Sequence, residues 1–519
     1  MAGPALKSFG HSALVALGIA SVTSLPFTAP LISPNHEFIY HHVGSATPVF
    51  LFVTLGFCLS WLLFTVLLWV AERIRWIFLV VWFIILLSLP YALIRGIAFF
   101  AKVDLPHGLI PYEAIVCLLV FPAIMSIVFA LLWRRQSAVF FRHLQPFVEG
   151  VFQFTSLFGL MVLGNLFWLG WQARNLNEPR QLHQSTSASS ASVATRNMHP
   201  RIIWLLLDEL SFDQVYDHRF AGLDLPAFDQ LAATSTIFTH VVPAGTRTDR
   251  VIPSLFTGIP LDDIHSSPDG QLRALHDTAS GSWQPFDTHQ TIFQDALDRG
   301  YKTALSGWFN PYCRILAPVL DSCFWTYRTA YPLWNVVAPA WKNGLAQEKS
   351  SKHIDDYQDL LAAGDALLTN PFLDFAFVHL PIPHPGAIYD RHRRAITTNG
   401  GSYIDNLAFA DLYLAHFRQI LEQNGQWNSS IVIVMGDHSW RTFGWRGLDS
   451  WTAEDELASH GGKFDDRPAY ILKLPNQETG ASINTRFAAK DTRALLDALL
   501  DNRLHTTADL QAWVDEQNP

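Results

Sequence analysis

Apolar and polar positions divide this chain into two unlike halves. Up to about residue 171, apolar residues run on for whole helical lengths with few charges, whereas after residue 198 they come in short bursts among polar segments. A helix needs about 20 mostly apolar residues to cross the hydrocarbon core of a bilayer. Five stretches approach that length, at 12–32, 48–70, 76–97, 109–132 and 149–171. The first holds Pro26 and Pro30 and sits where a signal peptide would, but it lacks a convincing small-residue cleavage site and four more stretches follow, so it reads as an anchor. The pattern predicts a bundle of about five transmembrane helices over residues 1–173. Lys7, Arg73, Arg75, Arg134, Arg135 and Arg142 gather on one side and only Arg95 and Lys102 on the other, which predicts a cytoplasmic N-terminus and, after five crossings, an outer C-terminal domain.

Residues 174–199, RNLNEPRQLHQSTSASSASVATRNMH, are rich in Ser, Ala and Thr and poor in large apolar side chains, so a flexible linker is expected there. From residue 200 to 519, short β-branched runs alternate with helical patterns: RIIWLLLD, HQTIFQDALDRG, YKTALSG, FLDFAFVHL, the long amphipathic YIDNLAFADLYLAHFRQILEQNG, SSIVIVMGD and PAYILKLP. Unbroken apolar strands separated by helices predict an α/β sandwich on a largely parallel sheet, with ligands gathered at the carboxyl ends of the strands.

Composition sharpens this division. Half of the 519 residues are hydrophobic and 16% charged, too apolar for an ordinary soluble chain. A net charge of -9 with no basic stripe argues against a nucleic-acid partner. Cys58 and Cys117 fall in the apolar stretches and read as small core residues. Cys313 and Cys323, ten apart in the outer domain, are expected to form a disulfide in an oxidising compartment; two free thiols are the alternative.

Chemistry is sought where strands end. Asp208 closes IIWLLLD, and Asp437 with His438 closes IVIVMGDH, placing two carboxylates and an imidazole at one sheet edge, a donor set suited to a metal. Each could instead be a turn or helix-cap residue. His384, in VHLPIPHPG, and His460, in ASHGGKFDDRP, are fixed by neighbouring prolines or glycines and present their rings from loops. His379 lies inside its strand and reads as a satisfied core residue. Two threonines, Thr246 and Thr248, stand in VVPAGTRTDRVIPSLFTG at the opening of a helix.

The order strand-Asp, G-T-x-T loop, H-P loop, strand-D-H, then H-G before a final strand closely resembles the alkaline phosphatase and sulfatase superfamily. With the preceding apolar stretches it looks most like the membrane-anchored branch that includes phosphoethanolamine transferases and lipoteichoic acid synthase. The resemblance implies a bacterial plasma-membrane protein with a periplasmic or extracellular catalytic domain. It also implies Asp208, Thr248, Asp437 and His438 as metal ligands, with Thr248 as nucleophile, because the spacing from Thr248 to Pro253 matches the transferase pattern. His384 and His460 match positions that hold phosphoryl oxygens or a second metal. Arg250, and Arg247 beside it, would steady charge on those oxygens or form structural ion pairs.

Departures narrow the choice. The formylglycine sulfatases need Cys or Ser followed by x-Pro-Ser-Arg, whereas Asp-Arg-Val-Ile follows Thr248. Lipid A phosphoethanolamine transferases carry Glu at the first ligand and cysteines bracketing the nucleophile loop, where this chain has Asp208, Ala244 and Ser254. The expectation is a metal-dependent phosphotransferase that takes a head group from a membrane phospholipid to a cell-envelope glycan or lipid. A phosphatase, phosphodiesterase or sulfatase-like hydrolase on the same scaffold is the alternative, and a silent binding or sensing module a third reading. One His, two carboxylates and a hydroxyl lean toward zinc or manganese, with calcium open.

Overall fold

The structure, a computed structural model, describes residues 4–71, 137–176, 199–328, 342–448 and 450–517. The expected spans 76–97 and 109–132, Cys117, Arg73, Arg75, Arg95, Lys102, Arg134, Arg135 and most of the expected linker lie outside those residues. The chain forms two compact units, residues 1–39 with 44–176, and residues 40–43 with 177–519.

The first unit contains α1 (Pro4–Thr23), α2 (Thr47–Ala71) and α3 (Ser137–Gln172). Within them Thr47–Val70 and Pro146–Gln172 are long and apolar enough to cross a membrane, which is compatible with anchoring. The first expected span differs: α1 stops at Thr23, its apolar part is only Phe9–Thr23, and a short turn, Leu25–Thr28, follows where Pro26 cannot continue the helical hydrogen bonding. The helices pack closely through glycine, since a Cβ at Gly18 would meet the Phe152 carbonyl oxygen at 1.9 Å. Large apolar side chains such as Leu55, Leu59, Phe154, Phe158 and Phe167 face outward, leaving an apolar exterior. Cys58 is half-buried on α2.

The second unit is built on an eight-stranded sheet. Its strands are β1 (Ile202–Leu207), β2 (Thr236–Phe238), β3 (Thr303–Trp308), β4 (Ser322–Thr326), β5 (Phe375–Leu380), β6 (Ile431–Gly436), β7 (Tyr470–Lys473) and β8 (Ala481–Ile483), in the spatial order β8-β2-β7-β6-β1-β5-β3-β4. All pairings are parallel except those of β7 with β6 and β2, so one reversed strand interrupts a parallel sheet.

Why β1 is apolar at every position follows from its two covered faces. Ile202, Trp204 and Leu206 join one core with Phe256 of α5 (Thr248–Thr257), Phe293 of α6 (Ile292–Asp298) and Leu495 of α9 (Thr492–Leu500). Ile203, Leu205 and Leu207 join the other with Phe228 of α4 (Pro226–Ala232), Leu360 of α7 (Lys342–Thr369) and Phe417 of α8 (Tyr403–Gln423). Burying each such side chain stabilises the fold by about 2 kcal/mol, so the strand is held from both sides.

Register decides the rest. Leu207 pairs with Gly436 on one side and Leu380 on the other, so the chain leaves the sheet at Asp208 and Asp437 from adjacent parallel strands. Gly436 is required by a close crossing, because a Cβ there would lie 2.6 Å from the Leu210 carbonyl oxygen.

Asp411 on α8 caps α4 by accepting the Phe228 N–H at 2.9 Å. Burial pushes its carboxyl up to about 6 despite that hydrogen bond. A carboxyl raised in the folded state contributes stability below its unfolded value, and that contribution is lost as pH rises through about 6. Asp411→Asn, whose amide oxygen still caps α4, is therefore expected to melt higher than the parent at pH 7, with the difference shrinking towards pH 5. Thermal denaturation across that range checks it.

Candidate active site and metal centre

Asp208, the first residue beyond β1, is fully buried, and neither of its carboxylate oxygens accepts a hydrogen bond. Burial pushes its carboxyl well above the usual range; the charges of Asp437 and Glu209 add to this and Arg441 opposes it. Asp437 uses Oδ1 to accept the Glu209 backbone N–H at 3.0 Å and Oδ2 to accept the Thr248 hydroxyl at 2.8 Å. Burial raises its carboxyl too, but His438, His379 and these hydrogen bonds together hold it below the usual range. His438 donates from Nδ1 to the Ser439 carbonyl at 3.0 Å, so in the neutral ring Nε2 keeps its lone pair, 3.1 Å from Asp437 Oδ2 and 3.4 Å from Thr248 Oγ1.

Ligand atoms of Asp208, Asp437 and His438 all lie within 4.8 Å of one another. An orphaned buried carboxylate, a second carboxylate beside it and an imidazole lone pair are a donor set that fits a divalent cation. Thr248 is the first residue of α5, at the positive end of the helix dipole, and it is buried whereas Thr246 is exposed. That difference in burial separates the two threonines.

Around this centre the other expected residues scatter. His384, half-buried, can bring a ring nitrogen within 4.8 Å of carboxylate oxygens of Asp208 and Glu209. Burial, with His353 and Arg441 nearby, holds it well below the usual imidazole value; Nδ1 donates to the Pro385 carbonyl at 2.8 Å. His460 is exposed and lies across from His218, ring centroids 6.0 Å apart, in a pocket of about 300 Å³ with Asp213, Ser459, Lys463 and Asp465. Among the described residues it joins none of the carboxylate and imidazole clusters. Arg250 is buried against Asp263 at 3.1 Å and Asp249 at 3.8 Å, and Arg247 pairs with Asp249 at 3.2 Å, so both guanidinium groups hold local ion pairs.

Several site residues were missed in the sequence. His379 is buried in β5 as expected, but only Nδ1 is bonded, to Tyr312 Oη at 2.7 Å; Nε2 has no partner and lies 3.5 Å from Asp208 Oδ2. It belongs to the floor of the site, because strand burial does not reveal what the second nitrogen meets. Burial lowers its pKa to about 4. Asn310 donates to the Thr248 carbonyl at 3.3 Å. A disulfide between Cys313 and Cys323 spans ten residues and ties this Asn310–Tyr312 segment to β4. Glu209 and Arg441 form an ion pair, legible beforehand only as an acid beside Asp208 and a base three residues beyond His438.

The fold and the site thus define an α/β domain that collects a hydroxyl, two carboxylates and an imidazole at the carboxyl edge of its sheet. The sulfatase family profile matches residues 200–475, and the chain belongs to that family. Arylsulfatase J of Mus musculus is 23% identical over 309 residues, covering 54% of this chain and 49% of that protein. The chain therefore spans about half the length of that curated relative. Among solved structures, a Bacteroides thetaiotaomicron protein of a glycosaminoglycan-metabolism locus aligns with a TM-score of 0.43, 14% identity and 60% and 80% coverage of the two chains. The lipoteichoic acid synthase LtaP from Listeria monocytogenes aligns with a TM-score of 0.37, 14% identity and 60% and 73% coverage.

Asp208→Asn removes a buried carboxylate that accepts no hydrogen bond among the described residues. In the presence of chelator this variant is expected to melt above the parent, while adding zinc or manganese should raise the melting temperature of the parent by several degrees and leave the variant almost unmoved. Scanning calorimetry with and without each ion checks both outcomes.

Proposed function

We propose that the chain is a membrane-anchored, metal-dependent phosphotransferase that uses Thr248 to carry a phospho-head group from a lipid donor to an acceptor on the outer side of the membrane. The observation that carries this reading is the Thr248 hydroxyl itself, buried at the start of α5, 2.8 Å from Asp437 Oδ2 and 3.4 Å from His438 Nε2. Asp208, Asp437, His438 and Thr248 Oγ1 would hold the cation, and their donor chemistry favours zinc or manganese over calcium. A bound divalent cation would supply the positive charge that lets a threonine hydroxyl lose its proton near neutral pH.

Thr248 oxygen forms a bond to the donor phosphorus as the bond from phosphorus to the lipid alcohol breaks. The departing alcohol takes up a proton, balancing the one Thr248 gives up. An acceptor hydroxyl then attacks the same phosphorus, the bond to Thr248 breaks, and the threonine recovers its proton. The α5 dipole favours negative charge at its first residue throughout. His384, near Asp208 and Glu209, is assigned to steady the phosphoryl oxygens and to protonate the leaving group. His460 is assigned, with His384, to contact the substrate's phosphoryl oxygens.

A hydrolase of sulfate or phosphate esters is the second reading, favoured by the family match; water then takes the place of the acceptor. Either enzyme differs from a silent binding module in needing Thr248. Thr248→Ala in the full-length protein is expected to keep its melting temperature within a few degrees and lose activity by at least about 10³-fold. Peptide mass spectrometry after incubation with phosphatidylethanolamine micelles should find the added mass on Thr248. Mass on Thr246, or undiminished turnover in the alanine variant, would sink the assignment, and release of free product without transfer would decide for the hydrolase.

A further inference from the structure

Glu209 occupies a left-handed backbone conformation, φ 64°, immediately after Asp208, and its side chain is fully buried. Each of its polar groups is engaged. The backbone N–H donates to Asp437 Oδ1 at 3.0 Å, and the carbonyl accepts from Tyr403 Oη at 2.8 Å. The carboxylate accepts from the Arg441 backbone N–H at 3.1 Å, from Arg441 Nε at 2.8 Å and from Nη2, and Trp445 Nε1 donates at 3.0 Å to one oxygen and 3.1 Å to the other. Arg441 Nη1 in turn donates to the Thr246 carbonyl at 3.1 Å, two residues before Thr248. Trp445 places its ring edge against His384, centroids 4.9 Å apart.

Four segments far apart in sequence therefore meet around this residue: the Glu209 carboxylate at the end of β1 holds Arg441 and Trp445 of the loop after β6, and these in turn reach the threonine loop and the histidine loop after β5. Stability alone does not explain such a pair. Taking a carboxylate and a guanidinium out of water is costly, and apolar replacements of buried ion pairs are often as stable. What the pair supplies is geometry: with its fork held by the Glu209 carboxylate, Arg441 donates from Nη1 to the Thr246 carbonyl, while the Glu209 backbone amide donates to Asp437, the residue that accepts from the Thr248 hydroxyl.

We propose that Glu209, acting through Arg441, is a positioning residue that sets the Thr248 loop against Asp437. The proposal rests on the reading of Thr248 as nucleophile, and its test separates the two. In the full-length protein, Glu209→Gln, Glu209→Gly, Arg441→Gln and the double variant E209Q/R441Q are compared for kcat and KM on bis(p-nitrophenyl) phosphate and p-nitrophenyl sulfate. Hydrogen exchange of the peptide spanning residues 243–248 is followed in each. Both Gln variants are expected to lose 10- to 100-fold in kcat with KM changed less than threefold, and the double variant to lose no more than the worse single. Glu209→Gly relieves the left-handed strain and keeps the backbone N–H, yet should fall with them because the carboxylate is gone. Exchange in the 243–248 peptide should rise at least tenfold in all four and stay unchanged in Thr248→Ala. Unchanged exchange, a fully active Glu209→Gly, or losses that multiply in the double variant would overturn the proposal. Should the Glu209 variants fail to fold, Arg441→Lys carries the same test, since it keeps the charge and loses the fork. If Thr248→Ala stays active, the nucleophile reading falls while the exchange result still decides the clamp.

Discussion

Two carboxylates that leave neighbouring parallel strands side by side set the terms for everything else at this sheet edge. Asp208 and Asp437 are both fully buried, and their ligand atoms lie within 4.8 Å. At an effective dielectric near 20, two negative charges at that separation repel by about 3 kcal/mol, before any loss of hydration is counted. The fold meets that repulsion with directed groups: the Glu209 amide and the Thr248 hydroxyl on Asp437, the Arg441 guanidinium nearby, and, on Asp208, oxygens left open. A buried carboxylate without hydrogen bonds is tolerable in a folded chain chiefly when a cation completes it.

That arrangement depends on register more than on any single side chain. The pairing of Leu207 with Gly436 places the two carboxylates level, and a slip of either strand by one residue would turn its carboxylate away from the other. The absence of a Cβ at Gly436 lets the Leu210 backbone cross within reach, and the isolated bridge between Ser211 and Pro468 holds the crossing. From the opposite side, the α5 helix delivers Thr248 because Val251, Ile252, Leu255 and Phe256 are packed into the core behind it.

Much of this frame could be read in the sequence, and the parts that could not share a physical cause. Strands ending in Asp208 and in Asp437 with His438 were visible because apolar runs stop abruptly at charged residues. The reversal of β7 was not, since an apolar run carries no sign of its direction. Pro26 marked the break after α1, but an apolar count stretched the segment past it. Arg250 stands two residues from Thr248, yet Asp249 and Asp263 already claim it. Residue type alone could not place His379 against Asp208, nor link Glu209 to Arg441 across 232 positions; such contacts exist only after the sheet has formed.

The two-sided walling of β1 has a consequence for divergence. No side chain between Ile202 and Leu207 can change size without disturbing one of two packed layers, so the frame is closed to gradual variation. Novelty must enter through the outer parts of the loops, beyond the buried residues that directly follow the strands, where lengths are free to differ. A descendant of this chain could acquire a new preferred ligand by remodelling those outer turns, and an engineer seeking altered selectivity would do well to diversify there and leave the scaffold untouched.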